Sequence, residues 1–550
     1  MIDAYKDIKY KVVSSNEKVL PDIEPQFEVS RGVMLKNQSH HFQIAYNTLF
    51  GVRGINLATV SIEGELAPYT TVCVEELTAS AFHSRERDDY YITQTSAVIP
   101  DALVPLEKVN LPMPYGMWRA IWCTVKLPKK FKAGVYPITA VFRDFESNEI
   151  FRASYEVEVL NAVAPKTEFF ATNWIHYDCL SQWHNVKLFG SKFYKIFANY
   201  LKTYVDIGFN AVLTPLFTPP LDTEVGKERQ TAQLVDVVKG ENGYTFSFAK
   251  LEKFIRFSLK CGVKYIELSH LFTQWGGRAC PKIMATVNGE YKRIFGWDTD
   301  STGKDYTEFL DAFLPKLVDF IKTNGWEKIT YFHLTDEPGE AHIPAYTECR
   351  KLVKKYIGDI PTMDALSHYE FYENGLVDIP VPSIGAFDKF VDKGINPLFV
   401  YNCCGPTDRY LSNRFINMPY QRTRVLGVQM YKTKVQGYLH WGYNFYRTFL
   451  SKRAINPYAV ADAYGAYPCG DGFLVYPGDD GVYGSIRACA TQECFQDYDT
   501  LVALEKKVGE QAVSQLLERC GVKDYLEYPR SATVHAEMME KAMRMLAKRK

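Results

Sequence analysis

The sequence has no excess of either charge: 64 Lys and Arg stand against 64 Asp and Glu in 550 residues. That removes the electrostatic case for a nucleic acid or an anionic membrane as partner and points to a neutral ligand. No stretch reaches the roughly 18 apolar residues of a membrane span. The opening segment, Met1 to Tyr10, alternates charge and lacks the apolar core of a signal peptide, so a cytoplasmic location is expected, although a signal peptide already removed gives the same picture. The 12 cysteines are scattered without a C-x-x-C pair, and only Cys403 and Cys404 are adjacent. This argues against a zinc site or a disulfide framework and for reduced thiols. Also missing are a P-loop, an H-E-x-x-H helix, a G-x-S-x-G elbow and a dinucleotide fingerprint. No metal or organic cofactor is implied, and carboxylate chemistry remains.

What is plentiful is aromatic surface, 14% of the chain with 37 Tyr and 8 Trp, which fills cores and also suits stacking on the apolar faces of sugar rings. The length calls for two or three domains. From about Gln26 to Leu160, short alternating runs such as Ala120 to Val125 and Val135 to Phe142 are broken by turn residues, the pattern of a β-sandwich. After a linker at Asn161 to Lys166 the period changes. Eight apolar strand candidates follow: Phe169 to Ile175, Phe209 to Pro215, Val263 to Ser269, Ile329 to Thr335, Pro361 to Leu366, Leu376 to Pro382, Pro397 to Asn402 and Val435 to Trp441. Amphipathic helical segments lie between them. The expected fold class is therefore multidomain α/β: an N-terminal β-sandwich over 1–162, a central (β/α)8 TIM-type barrel over 163–448, and a small C-terminal β unit with terminal helices over 449–550.

Leu334-Thr335-Asp336-Glu337-Pro338 places two adjacent carboxylates where the fourth strand stops. Pro338 ends the strand and is expected to hold Glu337 in the β or polyproline region. Carboxylates this close repel when both are ionised, which raises the pKa of one and leaves an acid beside a base. That is a glycosidase arrangement. An ordinary loop with Asp336 capping a helix near Ala341 would show the same tripeptide. The context separates the two readings, because barrel active sites gather at the C-terminal ends of the strands. The first strand ends at Trp174, His176 and Asp178, and the third at His270 with a long loop holding Trp275 and Trp297. The seventh ends at Tyr401 and Asn402, and the eighth at Trp441. Polar and aromatic groups on one rim are what a carbohydrate pocket requires.

The segments His333 to Pro338, Gly437 to Trp441, Gly470 to Gly478, and Ser485-Ile486-Arg487 with Gln496-Asp497-Tyr498 resemble glycoside hydrolase family 123, the β-N-acetylgalactosaminidases, and the wider group of bacterial proteins sharing that barrel and C-terminal unit. The resemblance covers essentially the whole chain. It implies exo-acting, retaining hydrolysis of terminal β-N-acetylhexosaminides of glycans or glycolipids, in which the substrate's own acetamido group is the nucleophile. Glu337 would then be the general acid and base, and Asp336 would accept a hydrogen bond from the acetamido N–H. Tyr401 is a candidate for steadying the acetamido oxygen and Trp441 for the pocket floor, both from strand position. Galacto specificity is an implication of the resemblance alone. Two other readings stay open: a retaining glycosidase on sugars without the acetamido group, with Asp178 or Asp364 as nucleophile, and a carbohydrate-binding protein on a disused barrel.

Overall fold

The computed structural model describes residues 5, 7–48, 58–81, 88–405 and 410–548. In the N-terminal part the alternating runs form two facing, largely antiparallel sheets. The smaller comprises Arg31–Lys36, Glu149–Val163, Gly134–Arg143 and Thr59–Glu63. Along Gly134–Arg143 the side chains of Tyr136, Ile138, Ala140 and Phe142 point inward, as the two-residue period of a strand requires. They meet Phe42, Ile44, Val74, Ile121 and Val125 of the larger sheet in one apolar core.

The larger sheet runs past its Ala97–Pro105 strand into the C-terminal part of the chain. Val482–Ser485 pairs with it, Gly484 opposite Leu103 and Ser485 opposite Ala102, and Tyr476–Pro477 forms the outer edge. The strands expected to make a separate small unit thus extend the N-terminal sheet, which covers an edge that would otherwise expose unpaired backbone groups. Arg487, next to this seam, is fully buried and pairs with buried Asp101 at 2.8 Å.

The eight expected central strands each contain an observed one: β1 (Phe170–Asn173), β2 (Ala211–Thr214), β3 (Tyr265–Leu268), β4 (Thr330–Phe332), β5 (Met363–Ala365), β6 (Ile379–Val381), β7 (Phe399–Tyr401) and β8 (Gly437–His440). Six of them pair as one curled parallel sheet in the order β4, β3, β2, β1, β8, β7. This is a half-barrel. In place of the continuous eight-stranded ring expected, β5 and β6 form a separate parallel ribbon. Single bridges, Phe332 to Thr362 and Ser383 to Tyr401, link it to the two sheet edges. The helices following β5 and β6 are correspondingly short, Glu370–Glu373 and Phe387–Val391.

The outer layer is built from α1 (Ser191–Ile207), α2 (Ala249–Lys260), α3 (Lys304–Thr323), α4 (Ile343–Ile357), α5 (Leu426–Lys432) and α6 (Ile486–Val508). In α1 the residues Phe193, Phe197, Tyr200, Leu201 and Tyr204 repeat at helical spacing and face the sheet. Helix α6, from the expected C-terminal unit, completes this layer. Its Phe495 ring lies against Phe169, Phe209 and Tyr438, and Tyr498 donates to the Val435 carbonyl at 2.9 Å. A Cβ at Gly427 of α5 would sit 1.9 Å from the Cys494 carbonyl oxygen, so glycine is what lets α5 and α6 close on one another. A four-stranded sheet of Asp236–Gly240, Gly243–Ser247, Ile283–Val287 and Glu290–Phe295, absent from the sequence reading, grows from the loops after β2 and β3. No helix of the described residues is long and apolar enough to cross a membrane.

Candidate active site

Beyond β4 the chain is held residue by residue. Leu334 N–H donates to Asp364 Oδ1 at 2.9 Å and Thr335 Oγ1 to the Thr273 carbonyl at 2.6 Å. The Asp336 carbonyl accepts from Trp275 N–H at 2.8 Å, and Glu337 N–H donates to the Ala365 carbonyl at 3.0 Å. Glu337 is therefore stitched between the loop after β3 and the end of β5, and it adopts φ +44°. This departs from the β or polyproline conformation expected of a residue before proline. Tertiary hydrogen bonds outweigh the local preference, and a non-glycine residue held there costs about 1–3 kcal/mol, a strain characteristic of functional sites.

The result is that both carboxylates face one cavity of about 220 Å³. Its wall comprises Trp174, Leu221, Asp222, Gln274, Trp275, Ala365, Tyr401, Cys403, Cys404, Leu439, Trp441, Phe449 and Tyr467 together with the pair. Asp336 is half-buried and Glu337 exposed. Tyr401 O–H donates to Glu337 Oε1 at 2.7 Å, and Cys403 Sγ lies 3.9 Å from the same oxygen. Trp441 Nε1 is fixed by Asp471 Oδ2 at 2.9 Å, which sets the plane of its ring. The Asp336 carboxyl is pushed well above the ordinary aspartate range, first by burial and then by the adjacent Glu337.

Under the pair lies a charged relay. His333 Nε2 is 2.9 Å from Glu267 Oε1 and its Nδ1 3.4 Å from Asp364 Oδ1, all three residues being fully buried. Burial opposes protonation of the ring, but the two carboxylates win and raise its pKa to about 9. Because the folded value lies above the unfolded one, the stabilisation is complete below about pH 6.5 and is lost as pH rises through about 9. Between pH 6 and pH 9.5 the gap in melting temperature between wild type and His333→Gln is expected to narrow. Thermal unfolding followed by circular dichroism at both pH values checks this, and a pH-independent gap would rule out a charged His333. His270, His333 and Asp364 present ligand atoms within 4.8 Å of one another. Yet the two imidazoles stack at 4.6 Å with 23° between planes, so a cation could not lie in both ring planes.

The sequence-derived residues divide into two groups. Trp174, Trp275, Tyr401 and Trp441 line the cavity with Asp336 and Glu337. The others do not. Asp178 is buried in a salt bridge to Arg229, 2.5 Å at its shortest, with Arg447 3.2 Å away. Against the cost of burial, these guanidinium groups bring its pKa down to about 2. His176 Nδ1 accepts from Arg229 Nη2 and its Nε2–H donates to the Trp441 carbonyl, and so it props the tryptophan from behind. Burial brings its pKa down to about 3. His270 stands behind Trp174, edge to face at 5.2 Å. Asn402 is taken up by Tyr438 O–H and the Ser412 carbonyl. Trp297 borders a different cavity with Arg293 and Lys282. Asp364 is buried, bound by Tyr346, Leu334 N–H and His333. The sequence reading missed Asp222, Gln274, Phe449 and Tyr467, which sit on aperiodic loops. Cys403 and Cys404, in the sequence only an adjacent pair, also line the cavity.

Comparison with known proteins decides the family. A model described as "Glycoside hydrolase 123, catalytic domain" matches residues 174–504. The chain belongs to glycoside hydrolase family 123. It is a glycoside hydrolase, and the match runs from Trp174 through β8 and well into α6. No curated protein sequence matches. Among solved structures, a family 123 glycoside hydrolase from Clostridium perfringens, described in terms of glycolipid glycan hydrolysis, superposes with a TM-score of 0.72 at 14% identity, over 98% of this chain and 97% of that one. A β-glucuronidase from Parabacteroides merdae gives a TM-score of 0.32 at 12% identity, over 90% of this chain and 52% of its own.

Proposed function

We propose that the protein is an exo-acting, retaining β-N-acetylhexosaminidase for terminal β-N-acetylgalactosaminides, working through the 2-acetamido group of its substrate. One observation carries this reading. Asp336 and Glu337 share one cavity, while Asp178 and Asp364, the carboxylates a conventional mechanism would draw on, are buried in ion pairs and hydrogen bonds away from it. A conventional retaining site sets its acid and nucleophile about 5–5.5 Å apart on either side of the bond. Neighbours on one strand end attack poorly from opposite faces, and an acetamido oxygen supplies the nucleophile that the pair itself does not.

In the free protein, burial and Glu337 favour a proton on Asp336. A bound acetamido group donates its N–H to Asp336, which favours the ionised carboxylate there and leaves Glu337 to carry the proton to the glycosidic oxygen. Asp336 thereby orients the carbonyl oxygen toward the anomeric carbon. After the aglycone departs, Glu337 takes a proton from water, which opens the oxazolinium ion with retention. Tyr401 holds the Glu337 carboxyl in place at the start of this cycle, and the aromatic walls carry the sugar. The bridges that tie the β5–β6 ribbon to both sheet edges support reading the half-barrel as a closed (β/α)8 barrel with the pair on its C-terminal rim. The glycolipid glycans named for the Clostridium perfringens relative support glycans and glycolipids as the substrate class.

The test is release of p-nitrophenol from the β-N-acetylgalactosaminide, the β-N-acetylglucosaminide and the β-galactoside. Turnover confined to the acetamido sugars, fastest on the galacto compound, is the expected result. Comparable turnover of the plain galactoside would remove the acetamido group from the mechanism.

A further inference from the structure

Asp222 is a third carboxylate in the catalytic cavity, on the loop beyond β2. Its backbone is at φ +40°, and the two residues that grip it from the loop beyond β8, Leu450 and Ser451, are each at φ +56°. Ser451 Oγ donates to the Asp222 carbonyl at 2.7 Å. Tyr467 O–H donates to Oδ1 at 2.8 Å, and Leu450 N–H approaches the same oxygen at 3.4 Å. Oδ2 is buried and has no hydrogen-bond partner among the described residues. Asp178 and Asp364, by contrast, have both carboxylate oxygens engaged by guanidinium, imidazole, hydroxyl or amide groups.

A carboxylate oxygen withdrawn from water without a donor is costly. Strain at three residues to hold it at the wall of a sugar cavity marks it as a ligand contact rather than a structural one. Arg229 does not supply the missing donor, since it is committed to Asp178. Other polar groups of the wall are engaged elsewhere: Tyr401 with Glu337, Trp441 Nε1 with Asp471 and Gln274 Nε2 with the Thr223 carbonyl. Asp222 lines the same cavity as Asp336 and adds to the charge crowding there.

We infer that Asp222 anchors the non-reducing sugar, its free Oδ2 accepting one or two of the 3-, 4- and 6-hydroxyls remote from the scissile bond. This rests on the proposed reading of Asp336 and Glu337, which occupy the C1 and C2 substituents and leave only those three hydroxyls as donors. Tyr467 is the positioning residue, holding the carboxylate so that one oxygen stays free for the sugar.

The test combines Asp222→Ala and Asp222→Asn with the p-nitrophenyl 2-acetamido-2-deoxy-β-hexopyranoside and its 3-deoxy, 4-deoxy and 6-deoxy analogues. A hydrogen bond from a hydroxyl to a carboxylate accounts for about 10- to 150-fold in kcat/KM. Wild type is expected to lose that factor on at least one analogue. Asp222→Ala should lose it on the parent sugar and lose little more on that same analogue, so the two deletions are not additive. Asp222→Asn keeps the shape of the side chain and an acceptor oxygen and should fall between the two, with an unchanged melting temperature. Equal losses on parent and all three analogues would overturn the assignment. So would azide rescue of Asp222→Ala with formation of a glycosyl azide, which would make Asp222 a nucleophile. A wild type indifferent to the acetamido group overturns the proposed mechanism instead, and the hydroxyl analogues still decide the anchoring role.

Discussion

Glu337→Gln is expected to lower kcat by about 10²–10⁴, the contribution of a positioned general acid and base, while affinity for the acetamido sugar stays within a few-fold of wild type. The amide is isosteric and still accepts from Tyr401 O–H, now 2.7 Å from Glu337 Oε1, so the strained turn at φ +44° has no reason to change. What it loses is the transferable proton. The loss should follow the leaving group: large for a sugar aglycone, which departs only when protonated, and smaller for an activated phenol. With an activated phenol, hydrolysis of the intermediate becomes limiting, because the residue that deprotonates water is gone. Steady-state kinetics on the two aglycones, with isothermal titration of a non-hydrolysed acetamido thioglycoside to verify binding, checks both halves. Turnover within ten-fold of wild type on the sugar aglycone would exclude Glu337 as the acid.

The parts of this arrangement that were legible before the structure share one property: they are carried by local pattern. Each central strand lies inside its expected apolar run because strands buried on both faces leave a near-continuous hydrophobic signature. The carboxylate pair stands out because Asp336-Glu337-Pro338 interrupts such a run. Long-range pairing leaves no such signature. Nothing local says that Val482–Ser485 will pair with a strand some 380 residues earlier, or that α6 will close the outer layer over β1 and β8. The same holds within the site. His176 and Asp178 occupy the right strand end, but Arg229, on a loop 51 residues away from Asp178, draws them behind the cavity wall. Asp222 and Tyr467 reach the cavity from loops with no period to read. The conformation of Glu337 is hidden from the sequence for a related reason: the preference imposed by a following proline is modest, and the hydrogen bonds that override it come from β5 and the loop after β3.

Asp336→Asn separates substrate assistance from every mechanism in which the neighbour is only a spectator charge. An asparagine fills the same space beside Glu337, but it cannot take the negative charge that holds the acetamido N–H and favours attack by the carbonyl oxygen. For acetamido substrates kcat is expected to fall by about 10²–10³, within the range found when a group acting only in the transition state is removed. The pH dependence carries the sharper signature. Burial and the adjacent Glu337 raise Asp336 well above its ordinary range, and the wild-type rate profile is expected to be bell-shaped, with apparent pKa values that belong to the two carboxyls together. Removing one titrating member should leave a single limb: rate lost as pH rises, because only the protonated acid at Glu337 can release the aglycone. A variant that keeps both limbs, or that slows the plain β-galactoside and the acetamido sugar by the same factor, would mean that Asp336 does not address the acetamido group. The cavity would then need its nucleophile from elsewhere on the wall, and Asp222, the remaining carboxylate there, would be the residue to trap with a fluorosugar and locate by mass spectrometry.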